Sequence, residues 1–300
     1  MDRVSTSQTS PILFLKGHGT ENDFVIVPDP DNAIDLPASF VARLCDRRAG
    51  IGGDGLLHVV RSAAHPEARA MAAEAEWFMD YRNADGSIAE MCGNGVRVFA
   101  RYLERAGLVE AGDLAVATRG GVKKAHLAKA APDSGSSAGD ITVSMGRAVL
   151  PEDGVTVSVG ARSWPALNVS MGNPHAVAFV EDLDQAGDLL TVPPFSPASV
   201  YPDGVNIEFV VDRGERHVAM RVHERGSGET RSCGTGACAV AVAAARRDGA
   251  DPAVTGVPVT YTVDLPGGRL VITERPDGEI EMTGPAVIVA EGHIDPAFFA

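Results

Sequence analysis

Two copies of one short motif contain the residues best suited to chemistry in this chain. The first is CGNGVRVFARYLERAG, beginning at Cys92, and the second is CGTGACAVAVAAARRDG, beginning at Cys233. In each copy a cysteine stands directly before the glycine-rich start of a predicted helix. The first N–H groups of a helix lack intrahelical partners and carry partial positive charge, so they stabilise a thiolate and can bind a carboxylate. We therefore expect such a thiol to have a pKa below the free value of about 8.5.

A pair of such helix ends suits one kind of reaction, the inversion of an amino acid at its Cα. One thiol removes the α-proton from one face, and the other delivers a proton to the opposite face. The helix N–H donors stabilise the negative charge that develops on the substrate carboxylate. Two other interpretations stay open at this point: both cysteines fill the core, as free cysteine often does, or they form a regulatory dithiol.

The other two cysteines and the remaining motifs indicate no metal or cofactor. Cys45 lies within a predicted helix and Cys238 within the apolar run ACAVAVAAA, so we interpret both as structural. The chain has no CxxC pair and no HExxH motif. The stretch GIGGDG (Gly50–Gly55) formally fits GxGxxG, but a helix-like run precedes it and a strand follows, the reverse of the dinucleotide fingerprint. No lysine has a setting typical of a pyridoxal phosphate site.

Composition excludes several classes of function. The 300 residues carry a formal net charge of -14 and are 45% hydrophobic, as in an ordinary globular protein. We see no basic stripe for nucleic acid. No segment reaches the roughly 18 uninterrupted apolar residues of a membrane helix. The polar start MDRVSTSQTS does not resemble a signal peptide, so we expect a cytoplasmic protein with no membrane partner.

The elements that position the two motifs form two similar sets. Each half of the chain is rich in predicted strands and contains one of the cysteine-led helices, predicted over Val96–Leu108 and Ala237–Ala250. A further helix is predicted over Ala38–Gly50. The polar stretch Ala131–Asp140 is the best candidate linker. Mostly antiparallel strands with few helices indicate an α+β fold.

The chain resembles the diaminopimelate epimerase family, in particular its actinobacterial branch. The matching stretches, in family order, are KGHGTENDF, NADGSIAEMCGNGVRVFARY, SMGNPHAV, GVNIEFV and HERGSGETRSCGTGACAVAVAA. The resemblance implies two pseudo-symmetric domains, each a mostly antiparallel, barrel-like sheet around a central helix. These would be residues 1–132 plus 284–300, carrying Cys92, and residues 133–283, carrying Cys233. It also implies a homodimer and cofactor-independent epimerisation of LL-2,6-diaminopimelate to the meso form, in lysine and peptidoglycan precursor synthesis.

The same resemblance implies roles for individual residues. Cys92 and Cys233 would be the catalytic acid/base pair, and His175 and Glu224 would modulate the pKa of the thiols. Arg225 would pair with the distal carboxylate of the substrate, and Glu224 with its α-amino group. The full set of implied substrate-binding residues is Asn22, Asn83, Gly93, Asn94, Asn173, Asn206, Glu224, Arg225, Gly234 and Thr235.

Two positions depart from the family pattern. Glu21 stands where members often have glycine, and Gly55 stands where many have glutamine, so the glutamine contact cannot be transferred. Two alternative functions remain at this stage: a proline or hydroxyproline racemase, and a non-catalytic binding or redox protein of the same fold. The stretches CGNG, GNPH and VNIEF favour diaminopimelate as the substrate.

Overall fold

A computed structural model describes residues 11–130 and 139–299. The polar start Met1–Ser10 lies outside the described residues, as does the predicted linker Ala131–Asp140 apart from its last two residues. Contacts divide the chain into two units. The Cys92 unit comprises residues up to Gly19, Asp23–Lys129 and the chain from Ala286 onward. The Cys233 unit comprises Thr20–Asn22 and the stretch from Ala130 to Pro285.

The Cys92 unit is one curved sheet around one helix. The elements are β1 (Ile12–Gly19), β2 (Asn22–Pro28), α1 (Ala38–Cys45), β3 (Gly55–Arg61), β4 (Trp77–Asn83), α2 (Gly93–Arg105), β5 (Gly112–Thr118), β6 (Gly121–Leu127) and β18 (Val287–Ile294). Strand neighbours follow the order β18, β1, β2, β3, β4, β5, β6, with parallel pairing between β2 and β3 and between β4 and β5. The helix α2 contacts strands across the sheet from β18 at one end to β6 at the other, and its residues from Gly93 to Leu103 are all buried.

The Cys233 unit repeats this plan. Its helix α3 contacts β9, β10, β12, β13, β15, β16 and β17, so the sheet surrounds it as well. The small residues of α3, from Gly236 to Ala245, are all buried. The elements are β7 (Ile141–Arg147), β8 (Val155–Val159), β9 (Arg162–Ser170), β10 (Pro174–Phe179), β11 (Phe195–Ser196), β12 (Asn206–Gly214), β13 (His217–Glu224), β14 (Gly228–Glu229), α3 (Gly234–Arg247), α4 (Pro252–Thr255), β15 (Val259–Leu265), β16 (Gly268–Glu274) and β17 (Glu279–Gly284).

The predicted α+β class is confirmed, with sheets dominant and few helices. The helix bounds differ from the predictions for local reasons. The helices α2 and α3 each begin three residues earlier than predicted, because the cysteine side chain caps the helix and the glycines form its first turn. The helix α1 ends at Cys45 rather than near Gly50, because the Asp46 carboxylate accepts the N–H groups of Arg48 and Ala49 and forms a turn there.

Helices of the described residues are all too short or too polar to cross a membrane.

A buried ionic cluster crosses the sheet of the Cys92 unit. His58 on β3 is 2% exposed, with Nε2 lying 3.0 Å from Asp29 Oδ2 and Nδ1 3.3 Å from Asp80 Oδ2. Asp80 also accepts hydrogen bonds from Arg82 Nε and Arg119 Nη1, both at 2.7 Å. Burial alone would lower the pKa of His58, but the hydrogen bonds and charges of Asp29 and Asp80 outweigh it and raise that pKa. The cluster therefore favours the protonated form of His58.

The His58 cluster predicts how stability depends on pH. A raised folded-state pKa contributes stability that is fully present below the unfolded histidine pKa of about 6.5 and is lost as pH rises through the folded-state value. We expect His58→Gln to lower the free energy of unfolding by roughly 3 kcal/mol at pH 6 and to flatten its decline above pH 6.5. Urea denaturation across this pH range measures both effects. As a control, His126→Gln removes an imidazole that is 55% exposed and should keep the wild-type slope. An unchanged slope in His58→Gln would contradict this assignment.

Candidate active site

The two motif cysteines occupy the same structural position, the N-cap of a central helix. Cys92 caps α2, and its Sγ accepts the N–H of Gly95 at 3.4 Å. Cys233 caps α3, and its Sγ accepts the N–H of Gly236 at 3.3 Å. Both cysteines have the extended backbone typical of an N-cap. The sulfur atoms thus lie where the partial positive charge of each helix is concentrated.

Glycine at the third helical position leaves space beside the capping cysteine, and this space is much tighter in the second motif than in the first. A Cβ added to Gly236 would lie 2.9 Å from Glu208 Oε1 and 3.2 Å from Cys233 Sγ. A Cβ added to Gly95 would lie 3.3 Å from Leu57 Cδ2 and 3.4 Å from Cys92 Cβ. The second motif is therefore the more crowded one, and a carboxylate is its nearest neighbour.

Cys233 lies in a buried polar cluster. It is 5% exposed, and the Glu224 carboxylate lies close enough to raise its pKa. Glu224 accepts a hydrogen bond from the Thr230 hydroxyl. Cys233 Sγ lies 3.6 Å from Thr235 Oγ1. The thiol therefore has a hydroxyl as its hydrogen-bonding neighbour and an acidic side chain nearby.

The environment of Cys233 favours the thiol over the thiolate. Burial raises its pKa well above the ordinary value, and the nearby Glu224 and Glu208 carboxylates raise it further. Hydrogen bonds from Thr235 and the Gly236 N–H oppose this shift without cancelling it. The expected lowering of the thiol pKa is thus wrong for Cys233, because the helix end is buried and faces two acidic side chains. Burial also raises the pKa of Glu224.

The predicted residues of the Cys233 unit are linked by hydrogen bonds. Asn173 Nδ2 donates to Thr235 Oγ1 at 3.3 Å, and His175 Nε2 lies 3.1 Å from Asn173 Oδ1. Asn206 pairs in register with His175 across the parallel strands β10 and β12, and its Nδ2 donates to the Pro174 carbonyl at 2.9 Å. The structure therefore brings Asn173, His175 and Thr235 to the end of α3 that Cys233 caps.

Arg225 and Asn22 complete the predicted set in this unit. The Arg225 N–H donates to Asn206 Oδ1 at 2.9 Å, while its exposed guanidinium donates to the Asp203 carbonyl at 3.4 Å. Asn22 is half-buried and begins β2. Gly234 forms the first turn of α3 with Thr235, and both are half-buried.

The Cys92 unit holds the remaining predicted residues. Gly93 and Asn94 form the first turn of α2 and are buried, Asn94 to 2% exposure, whereas Cys92 is half-buried. Asn83 ends β4, and its Nδ2 donates to Ser87 Oγ at 2.9 Å. This bond lies in the turn that returns the chain toward the first motif.

Both departures from the family pattern have a structural explanation. Gly55 pairs with Asn83 in the ladder of β3 and β4, and a Cβ there would lie 2.5 Å from the Arg82 carbonyl. A side chain at position 55 would therefore require the neighbouring strand β4 to shift. Glu21 adopts a left-handed backbone with φ 63°, which explains why glycine suits this position, and its carboxylate pairs with Arg231.

The two cysteines outside the motifs, Cys45 and Cys238, are both buried. Burial raises the pKa of Cys45 to about 11. In the described ranges, no group of three or more His, Cys, Asp or Glu side chains is arranged to hold a metal ion.

Two polar residues of this site, Glu208 and Thr230, were not predicted from the sequence. Glu208 contacts His175, and Thr230 donates a hydrogen bond to Glu224. The signal for Glu208 was present in VNIEFV, where a charged residue alternates with Asn206 on one face of a buried strand.

Comparison with known proteins identifies the family. The family model for diaminopimelate epimerase matches residues 14–151 and 167–289. The chain is 78% identical over 287 residues to the diaminopimelate epimerase of Streptomyces coelicolor, covering 96% of both chains. It is 46% identical over 293 residues to that of Mycolicibacterium smegmatis, covering 95% of this chain and 97% of the relative.

Solved structures with little sequence identity share the fold. A Bacillus anthracis phenazine biosynthesis protein of the PhzF family superposes with a TM-score of 0.70 at 16% identity, covering 95% of this chain and 99% of that one. A hydroxyproline epimerase from Agrobacterium vitis gives 0.64 at 13% identity, covering 96% and 94%. With the family model matching most of its length and close relatives along nearly all of it, the chain belongs to the diaminopimelate epimerase family.

Proposed function

We propose that this protein converts LL-2,6-diaminopimelate to meso-diaminopimelate by inverting one Cα, without a cofactor. The observation that carries the proposal is the 78% identity to the Streptomyces coelicolor diaminopimelate epimerase along nearly the whole chain. The product serves lysine and peptidoglycan precursor synthesis. The hydroxyproline epimerase that shares the fold is only 13% identical, so its substrate gives no comparable argument.

In the proposed reaction, Cys92 and Cys233 act on opposite faces of the substrate Cα. The thiolate of one cysteine takes the α-proton as the Cα–H bond breaks. The electron pair moves onto the substrate carboxylate, and a new Cα–H bond forms with the proton of the other thiol. The two cysteines exchange protonation states in each turnover, so the reverse reaction uses them in exchanged roles.

The helix ends supply the electrostatic part of this mechanism. We propose that N–H groups of Gly93 and Asn94 in one helix, and of Gly234 and Thr235 in the other, bind the substrate α-carboxylate. Donors held fixed by a helix need no reorganisation when charge develops on that carboxylate, so they lower the barrier to carbanion formation. Each Sγ accepts the third N–H of its own helix, and the N–H groups proposed to bind the carboxylate are those of the two residues before it.

The polar side chains then select diaminopimelate. The exposed guanidinium of Arg225 would form a two-pronged pair with the distal carboxylate. Glu224 would bind the α-amino group and, together with His175, modulate the thiol of Cys233. The amides of Asn22, Asn83, Asn173 and Asn206 would hydrogen-bond the substrate's remaining polar groups.

The raised pKa of Cys233 indicates its protonation state before the substrate binds. At neutral pH Cys233 carries its proton and is ready to act as the acid. When it acts as the base, its proton must first leave, and we propose that the nearby Glu224 carboxylate accepts it. Glu224 would thus take part in resetting Cys233 between turnovers.

The two-thiol mechanism predicts that each cysteine is essential. We expect Cys92→Ala and Cys233→Ala each to lower kcat for LL-diaminopimelate by about 10²–10⁴-fold, the contribution of an acid/base group of this kind. The conversion can be followed by separating the LL and meso forms by chromatography. As a control, Cys238→Ala changes a buried cysteine on the same helix as Cys233 and should keep near-wild-type turnover. Full turnover in either motif variant would refute the mechanism.

We also propose that the protein is a cytoplasmic homodimer, as the family resemblance implies. Strand β18 supports this proposal because it exposes two valines, Val287 at 43% and Val289 at 56%. Apolar side chains exposed along one strand suit an interface with a second copy of the chain.

The dimer proposal predicts that Val289→Glu shifts the protein to the monomer, because it places a charge in the interface. Sedimentation velocity over a range of concentrations measures this. The control Val254→Glu, at a valine that is 82% exposed in the Cys233 unit, should remain dimeric. A monomeric wild-type protein at micromolar concentration would contradict the proposal.

A further inference from the structure

Glu208 is a fully buried carboxylate that the proposed reaction does not use. It lies on β12 with no measurable exposure, and its Oε1 lies 2.6 Å from Nδ1 of His175, which is equally buried. Its second oxygen, Oε2, has no hydrogen-bond partner among the described residues. A buried charge that is not fully hydrogen-bonded is costly, so this arrangement does not maximise stability.

The sheet register explains why Glu208 faces the thiol. In the parallel ladder of β10 and β12, His175 lies opposite Asn206 and Val177 opposite Glu208. Because side chains alternate along a strand, these four point to one face of the sheet. The alternate residues, including Ile207 and Phe209, belong to a separate apolar core. The Glu208 face is the one on α3, since a Cβ at Gly236 would lie 2.9 Å from Glu208 Oε1.

A continuous chain of polar contacts leads from Glu208 to the thiol. Glu208 Oε1 contacts His175 Nδ1 at 2.6 Å, and His175 Nε2 contacts Asn173 Oδ1 at 3.1 Å. Asn173 Nδ2 donates to Thr235 Oγ1 at 3.3 Å, and Thr235 Oγ1 lies 3.6 Å from Cys233 Sγ. These contacts run from β12 to β10, then to the turn before β10, and from there to the start of α3.

The partners of His175 determine where its proton lies. An ionised carboxylate can only accept hydrogen bonds, so the contact with Glu208 requires a hydrogen on Nδ1. Because Asn173 Nδ2 donates to Thr235, Asn173 Oδ1 faces Nε2 and accepts a hydrogen bond from it. A carboxylate in this position fixes the tautomer and the orientation of an imidazole and stabilises its protonated form.

We propose that Glu208 is a positioning residue for the reaction, holding His175 with Nδ1 protonated so that Asn173 and Thr235 are aligned on the Cys233 thiol. This role rests on the proposed epimerisation, in which Cys233 gives and takes the α-proton. Well-packed apolar residues in the same space would stabilise the fold at least equally, so stability alone does not account for the buried pair of Glu208 and His175. Gly236 leaves the space in which the carboxylate fits beside the helix.

The arrangement of His175 can be tested in the wild-type protein without any assay of turnover. With ¹⁵N-labelled histidine, the ring nitrogens of His175 report protonation directly, and His175→Gln identifies its signals among those of the 8 histidines. We expect a protonated Nδ1 at neutral pH. An unprotonated Nδ1 would overturn the proposal, whether or not the enzyme epimerises diaminopimelate.

The catalytic consequence is tested with Glu208→Gln, which keeps the shape and removes the charge. We expect kcat to fall about tenfold to a hundredfold, as when a carboxylate behind a functional histidine is removed, and the His175 ring signals to shift. We expect KM to change less than about threefold, because the lost interaction acts on the chemical step. The control Glu215→Gln, at an exposed turn residue of the same unit, should change none of these.

A second variant tests whether the contacts act as one chain. Thr235→Val removes the hydroxyl that lies between Asn173 and Cys233. If Glu208 acts through that hydroxyl, the double variant loses little more kcat than the worse single variant. Fully multiplicative losses would contradict the chain, as would wild-type kcat in Glu208→Gln. A wild-type protein that does not epimerise diaminopimelate would instead refute the proposed function, and the His175 signals would still report on Glu208.

Discussion

The structure depends on one interaction made twice, a hydrogen bond from the third N–H of a central helix to the sulfur of the cysteine that caps it. Cys92 makes it with Gly95 and Cys233 with Gly236. It holds each sulfur at the helix end, beside the glycine at the third helical position. The sheet that surrounds each helix then determines what else reaches the sulfur. Much of the local sequence of both motifs follows from this single contact.

The surroundings of the two sulfurs differ, and the difference has a chemical consequence. The position of Gly95 packs on Leu57, whereas that of Gly236 packs on the Glu208 carboxylate. A helix end is worth up to about 2 kcal/mol to a charge, which is less than about 1.5 pKa units. Full burial can shift a pKa by about 3–5 units in the opposite direction. Burial and the two carboxylates therefore dominate at Cys233, and the thiol form prevails there.

Local patterns in the sequence predicted the α+β class and the paired cysteines at helix starts, because a cap and its helix are adjacent in the chain. The apolar pattern places the helix starts at Val96 and Ala237, three residues late, because glycine is a poor helix former and adds nothing to that pattern. The pKa of Cys233 was predicted in the wrong direction, and Glu208 was missed. Both depend on strands β10, β12 and β13 meeting α3, and no local pattern contains that packing. The sequence shows that Gly55 departs from the family pattern. The reason, a close approach of the Arg82 carbonyl, depends on the register of β3 and β4 and is not visible in the sequence.

In the proposed mechanism two different groups remove and deliver the α-proton, and hydrogen exchange in D₂O distinguishes this from a mechanism with one group. At early conversion of LL-diaminopimelate, we expect each meso product molecule to carry deuterium at the inverted carbon. The unreacted LL substrate should stay unlabelled, because a thiol that returns a proton to the same face returns the one it removed. Product that keeps the substrate's own α-hydrogen would contradict the account, because it would show that one group serves both faces.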